Sequence, residues 1–208
     1  MALIENFTIN HIRLAIWQIE ESIPELYEQV HLNEEETERY NRFYSDRRKR
    51  EWLATRVLMR QIGIQGKINY LPNGKPFLLE PYHISISHSH DRVFIGLSEK
   101  EEIAVDVELV REKIFRIQDK FSSPSEISKL PDQDAETMTI VWGAKEVLYK
   151  KYSVIESLEF KSQMTIAIDE PINGKGFFRA QVHGTKVQGD HQLSYFIEHG
   201  YVHVYLCD

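Results

Sequence analysis

The sequence predicts an α+β chain of two pseudo-symmetric lobes, each an antiparallel sheet packed against a long helix. Three observations lead there. Stretches at 11–19, 84–88, 92–97, 102–108 and from 164 to 206 are short, apolar and bounded by turn residues, as strands are. Two longer segments, 34–62 and 132–152, read as helices instead. Residues 84–97 also lie over 193–206 at an offset of 109 residues, each copy an apolar strand, a polar turn and a second apolar strand. The repeat divides the chain into lobes 1–109 and 110–208, with a site expected between them.

Each element follows from local chemistry. Ile12, Leu14 and Ile16 share one face of the first strand. The helical region 34–62 breaks near Ser45-Asp46, with Asp46 read as a cap for its second part. Residues 67–79 form a hairpin around Asn73-Gly74. Strands follow at 84–88, 92–97 and 102–108. Residues 110–129 read as helix interrupted at Pro124, and 132–152 as one long helix. Strands return from Met164 to Leu206, punctuated by glycines and Pro171.

Composition narrows the class. In 208 residues, 42% are hydrophobic and 27% charged, enough for a buried core in water. No apolar run approaches the roughly 20 residues of a membrane span. The N-terminus lacks a basic stretch followed by an apolar one, so the expectation is a cytoplasmic protein without membrane contact. The single cysteine, Cys207, excludes an internal disulfide framework and a cysteine-based zinc knuckle. Net charge is −7, which argues against nucleic acid as a partner. Between Arg39 and Arg60, however, basic residues recur against few acids. That segment is either a solvated helix face or a surface for phosphates or an acidic partner.

Two stretches carry the candidate chemistry. In Ile103-Ala104-Val105-Asp106-Val107-Glu108 the two acids are two apart on a strand and share a face, while Val105 and Val107 point inward. In Trp142-Gly143-Ala144-Lys145-Glu146-Val147-Leu148-Tyr149-Lys150, Trp142, Glu146 and Lys150 recur every four residues along one helix face. Each has an ordinary explanation. An exposed strand end is often acidic, and Glu146 with Lys150 is a favourable helix pair worth roughly 0.2–0.5 kcal/mol. Together, three carboxylates and a lysine suit a hard divalent cation holding a phosphate ester. His88 and His90 form an H-x-H pair, which leaves a transition-metal site open as an alternative. Lys75 projects from the tight Asn73-Gly74 turn, where a phosphate contact fits, although no P-loop pattern is present.

Five motifs stand in a fixed order: G-K-P at 74–76, I-S-x-S-H-S ending at Ser89, V-D-V-E at 105–108, F-S-x-x-S-E at 121–126 and W-x-x-K-E-x-x-x-K at 142–150. From about Arg42 to Lys150 this series resembles the 4'-phosphopantetheinyl transferase superfamily, in its larger, two-lobed, surfactin-synthetase-activating type. The resemblance implies that family's fold and its reaction. That reaction moves the 4'-phosphopantetheine arm of coenzyme A to a serine of an acyl, peptidyl or aryl carrier protein, with Mg²⁺, releasing adenosine 3',5'-bisphosphate. It implies Asp106, Glu108 and Glu146 as metal ligands, with Glu146 also the proton acceptor. Lys150 would contact the transferring phosphate, with His88 stabilising charge beside it. Lys75, Ser87 and His88 would contact coenzyme A, with Arg47 and Arg56 the basic residues near the nucleotide. A monomer is expected, since a second lobe can replace a partner subunit. Departures from the family pattern are Ala104 where glycine is usual, Val147 where serine or alanine is usual, and Lys151-Tyr152-Ser153 where glycines often follow the helix. Two alternatives use the same residues: a coenzyme A or carrier-binding homologue without activity, and a metal-dependent phosphodiesterase.

Overall fold

A computed structural model describes residues 3–79 and 81–206, with the side chains of Leu3 and Ile4 left aside. Cys207 lies outside the described residues. The chain is α+β with antiparallel sheets, as the sequence predicts. In order it forms β1 (Leu3–Ile9), β2 (Ile12–Gln18), α1 (Ile23–Glu28), α2 (Glu34–Asn41), α3 (Asp46–Gln61), β3 (Asn69–Tyr70) and β4 (Pro76–Phe77). Then come β5 (His83–Ser89), β6 (Arg92–Ser98), β7 (Ala104–Leu109), a 3₁₀ turn (Glu112–Arg116), α4 (Gln118–Phe121), α5 (Pro124–Ile127) and α6 (Ala135–Tyr152). The chain ends in β8 (Met164–Ala167), β9 (Lys175–His183), β10 (Gln188–Glu198) and β11 (Tyr201–Leu206).

Two larger sheets result. One has the order β1-β2-β6-β5, the other β7-β11-β10-β9-β8. Alternation along the strands decides what each face meets. Ala15, Trp17, Val93, Ile95 and Leu97 face α3, whose Trp52, Leu53, Val57 and Leu58 complete that core. Ala104, Val202, Val204, Leu193 and Phe178 face α6 through Ile140, Val141, Ala144 and Leu148. The remaining faces meet each other through Ile12, Leu14, Ile16, Phe94, Val105, Val107 and Tyr205. Gly96 permits that approach, because a Cβ there would stand 2.5 Å from Val105 Cγ1.

The boundaries follow from capping. Ser45, rather than Asp46, caps α3: its Oγ accepts from the Arg48 amide at 3.4 Å, and Asp46 is the first helical residue. Asp134 caps α6 by accepting from the Thr137 amide at 2.8 Å. Residues 110–129 are more broken than the sequence suggests. Ser122 is extended (φ −128°, ψ 146°), and Ser123 starts a new turn whose first residue is Pro124. The repeated segments are both hairpins with two-residue turns, Ser89 pairing with Arg92 and Glu198 with Tyr201.

Candidate active site

The first sheet ends in β5 and the second begins with β7, and the two edge strands run side by side. Serines on one face of β5 join them. Ser85 Oγ accepts from the Val105 amide at 3.0 Å. Ser87 Oγ donates to Asp106 Oδ1 at 2.7 Å. Ser89 Oγ donates to Glu108 Oε2 at 2.8 Å and accepts from the Leu109 amide at 3.2 Å. This period-two ladder satisfies edge groups and fixes both carboxylates.

Helix α6 crosses β7 on the carboxylate face. Lys150 Nζ donates to Asp106 Oδ1 at 2.7 Å and to the Val105 carbonyl at 2.9 Å. Trp142 Nε1 donates to Glu108 Oε1 at 3.1 Å. Gly143 lies between them, where a Cβ would stand 3.3 Å from Asp106 Oδ2 and 3.1 Å from Val204 Cγ2. Glu146 is raised to about 7, first by burial and then by the neighbouring negative charge of Asp106, with Glu108 adding to it and Lys150 opposing. Glu108 is raised too, by burial and then by Asp106, against its bonds to Ser89 and Trp142. Three carboxylates therefore share one electrostatic environment with one lysine.

Helix α3 closes the other side. His88 Nε2 lies 2.9 Å from Thr55 Oγ1, whose own proton goes to the Glu51 carbonyl at 2.7 Å. The Thr55 oxygen is thus the acceptor, and the neutral imidazole carries its proton on Nε2 and its lone pair on Nδ1. Burial, with Arg48, Lys150 and Arg47 nearby, holds His88 at about 3. Arg47 and Arg48 both reach Glu51, at 2.8 and 3.4 Å.

Not every sequence-predicted residue joins this group. Arg56 is buried, donates to Glu36 Oε1 at 3.0 Å and lies over the Trp52 ring, so its guanidinium is committed there. Lys75 donates to Glu102 at 2.8 Å, while Asn73 in the same turn donates to the Ser153 carbonyl at 3.2 Å, which sets that turn against the end of α6. Sequence reasoning left out Thr55, and it placed Ser89 in a motif and Trp142 on the Glu146 face without a role for either. The signal for Ser89 was the S-x-S-x-S spacing of 85–89 against the acids of β7.

Could these residues hold a divalent cation? Asp106 is 4% exposed, and its Oδ2 is buried without a hydrogen-bond partner among the described residues. A buried, orphaned carboxylate oxygen near Glu108 and Glu146, both with raised pKa values, is donor chemistry that suits a hard cation. Among the described residues no group of three or more His, Cys, Asp or Glu side chains is placed to hold a metal ion. A hard cation at Asp106 would need substrate and water oxygens to complete its shell.

No protein-family model matches the chain. A protein of Synechocystis sp. named "Putative 4'-phosphopantetheinyl transferase" is 30% identical over 140 residues. The alignment covers 59% of this chain and 57% of that protein, so the chain spans little more than half the length of the curated relative it matches. Among the described residues no helix is long and apolar enough to cross a membrane. The chain is thus a distant relative of a protein bearing that name, and at the meeting of β5, β7, α3 and α6 it carries a buried cluster of acids beside a lysine and a histidine.

Proposed function

We propose that the protein transfers the 4'-phosphopantetheine group of coenzyme A to a serine of an apo carrier protein, with Mg²⁺ bound at the acid cluster. The observation that carries this reading is the pairing of Lys150 with Asp106 directly beside Glu146, whose pKa stands near 7. That value is the cation-free one: the acids repel one another without a full compensating charge, which a divalent cation would supply.

The residues divide the work. Asp106, Glu108 and Glu146 would hold the cation, which when bound neutralises and polarises a diphosphate. The serine Oγ forms its bond to phosphorus as the diphosphate P–O bond breaks. The serine proton passes to the Glu146 carboxylate, and adenosine 3',5'-bisphosphate leaves with the electron pair. Lys150, held by Asp106 and Val105, offers its remaining donor to the phosphoryl oxygens. A phosphate beside His88 favours the imidazolium, and Nδ1–H then becomes a donor while Thr55 keeps the ring in place. Lys75 and Arg47 remain the expected coenzyme A contacts, while Ser87 acts through Asp106 and Arg56 is committed to Glu36 and Trp52. Positioning and charge neutralisation are the main demands of phosphoryl chemistry.

Release of adenosine 3',5'-bisphosphate from coenzyme A tests the reading. Transfer requires that release depends on an apo carrier with its serine intact. Release without any carrier would favour the phosphodiesterase. Coenzyme A binding without release would favour the inactive homologue.

A further inference from the structure

The acids sit at the β5 end of the first sheet, where it meets β7. At the opposite end, β1, a pocket of about 910 Å³ opens, a size that suits a small organic molecule. The two sheets explain it. β1 lies across β10, where Phe7 meets Phe196 edge to face with ring centroids 5.9 Å apart. The five-stranded sheet continues past that contact as β9. Alternation along β9 sends Phe178, Ala180 and Val182 into the core that contains α6. Phe177 is left on the other face, 69% exposed, and lines the pocket with Phe7, Phe196 and Tyr205. It is thus part of an aromatic patch rather than a lone exposed ring. Phe196 is held firmly, stacked on the buried His203 ring at 4.4 Å and 5° from parallel.

Two charged side chains line the same pocket, Glu5 from β1 and Lys175 from β9. Among the described residues neither makes a side-chain hydrogen bond or ion pair, with the other or elsewhere. Burial, and then the negative charge of Glu198, push the Glu5 carboxyl above its ordinary value, so a cation brought to it is favoured. Aromatic faces attract an ammonium as well. An aromatic hollow that carries an unpaired acid and an unpaired lysine complements a molecule with both charges on an apolar body. We propose that this pocket binds an aromatic α-amino acid, with its ammonium at Glu5, its carboxylate at Lys175 and its ring among Phe7, Phe177 and Phe196. The site stands apart from the acid cluster, and the inference does not rest on the transferase reading.

Titration calorimetry on the full chain tests it with three probes: phenylalanine, phenylethylamine, which lacks the carboxylate, and phenylpropionate, which lacks the ammonium. Phenylalanine is expected to bind with Kd of about 1 mM or below, and each analogue roughly tenfold more weakly, about one charge-assisted hydrogen bond. Glu5→Gln should weaken phenylalanine by a similar factor and erase its advantage over phenylpropionate. Lys175→Gln should do the same for its advantage over phenylethylamine. Phe177→Ala, at an exposed position, should weaken all three probes alike. Absence of binding by the native protein at millimolar phenylalanine overturns the proposal without any variant. So do analogues that bind the native protein as well as phenylalanine does, or preferences that persist unchanged in the two glutamine variants.

Discussion

Glu146 is the residue on which chemistry and stability pull in opposite directions. Its folded pKa, about 7, lies above the ordinary carboxylate value. The favourable contribution of the group is therefore full at pH below the unfolded value and is lost as pH rises through about 7. Without a cation, the protein above pH 7 carries a penalty of about 3 kcal/mol from this group. Glu146→Gln should raise the melting temperature by several degrees at pH 8 and change it little at pH 5. It should also lower transfer by roughly a hundredfold or more, as loss of a general base does. Parallel melting curves for the two proteins at both pH values would contradict the assigned environment. Asp106 and Glu108 were legible in the sequence because two acids two apart on a strand share a face. Thr55 was not, because a threonine in a helix signals nothing until its partner is known.

At the scale of elements, α6 is held by a residue that touches none of the acids. Lys145 is fully buried, and its Nζ donates to the carbonyls of Phe121 (2.6 Å) and Phe160 (3.0 Å) and to Glu126 Oε2 (2.7 Å). The other Glu126 oxygen accepts from the Ile166 amide at 2.8 Å. One ion pair thus joins α6, α5, the loop at Phe160 and β8. Lys145→Met should cost about 3–5 kcal/mol in urea unfolding, since Glu126 is left buried and unpaired. A loss below 1 kcal/mol would mean that the pair contributes little. The same region shows where sequence reading ran out. The strands at 84–88, 92–97 and 102–108 announced themselves by apolar runs between turn residues. Residues 110–129 mix helix-forming pairs with Ser122, Ser123 and Pro124, and local propensity could not say that the helix would divide into three short turns. β1 and the six-residue α1 also went unread. Each is short, and packing against a neighbour rather than its own pattern fixes it.

The whole molecule depends on two sheets approaching closely enough for β5 to lie beside β7. Gly96 sits at that contact. An alanine Cβ there would stand 2.5 Å from Val105 Cγ1 and 2.8 Å from Ile103 Cγ1, both on the segment that carries Asp106. Gly96→Ala should cost about 1–3 kcal/mol and reduce transfer, because relief requires β7 to move. A variant with native stability and full activity would show that the seam tolerates displacement. The α+β class and the hairpin repeat were legible because turn chemistry and apolar pattern are local. That β7 would pair with β11, and meet β5 through serine side chains, was not, because strand order is set by which faces remain to be covered.

The most direct measurement is the intact mass of an apo carrier protein after incubation with this protein, coenzyme A and Mg²⁺, alongside Glu146→Gln. The account predicts a carrier heavier by one phosphopantetheine arm with the native protein, modification slowed roughly a hundredfold or more with the variant, and none when Mg²⁺ is withheld. Carriers left unmodified by the native protein, or modified equally well by Glu146→Gln, would contradict it.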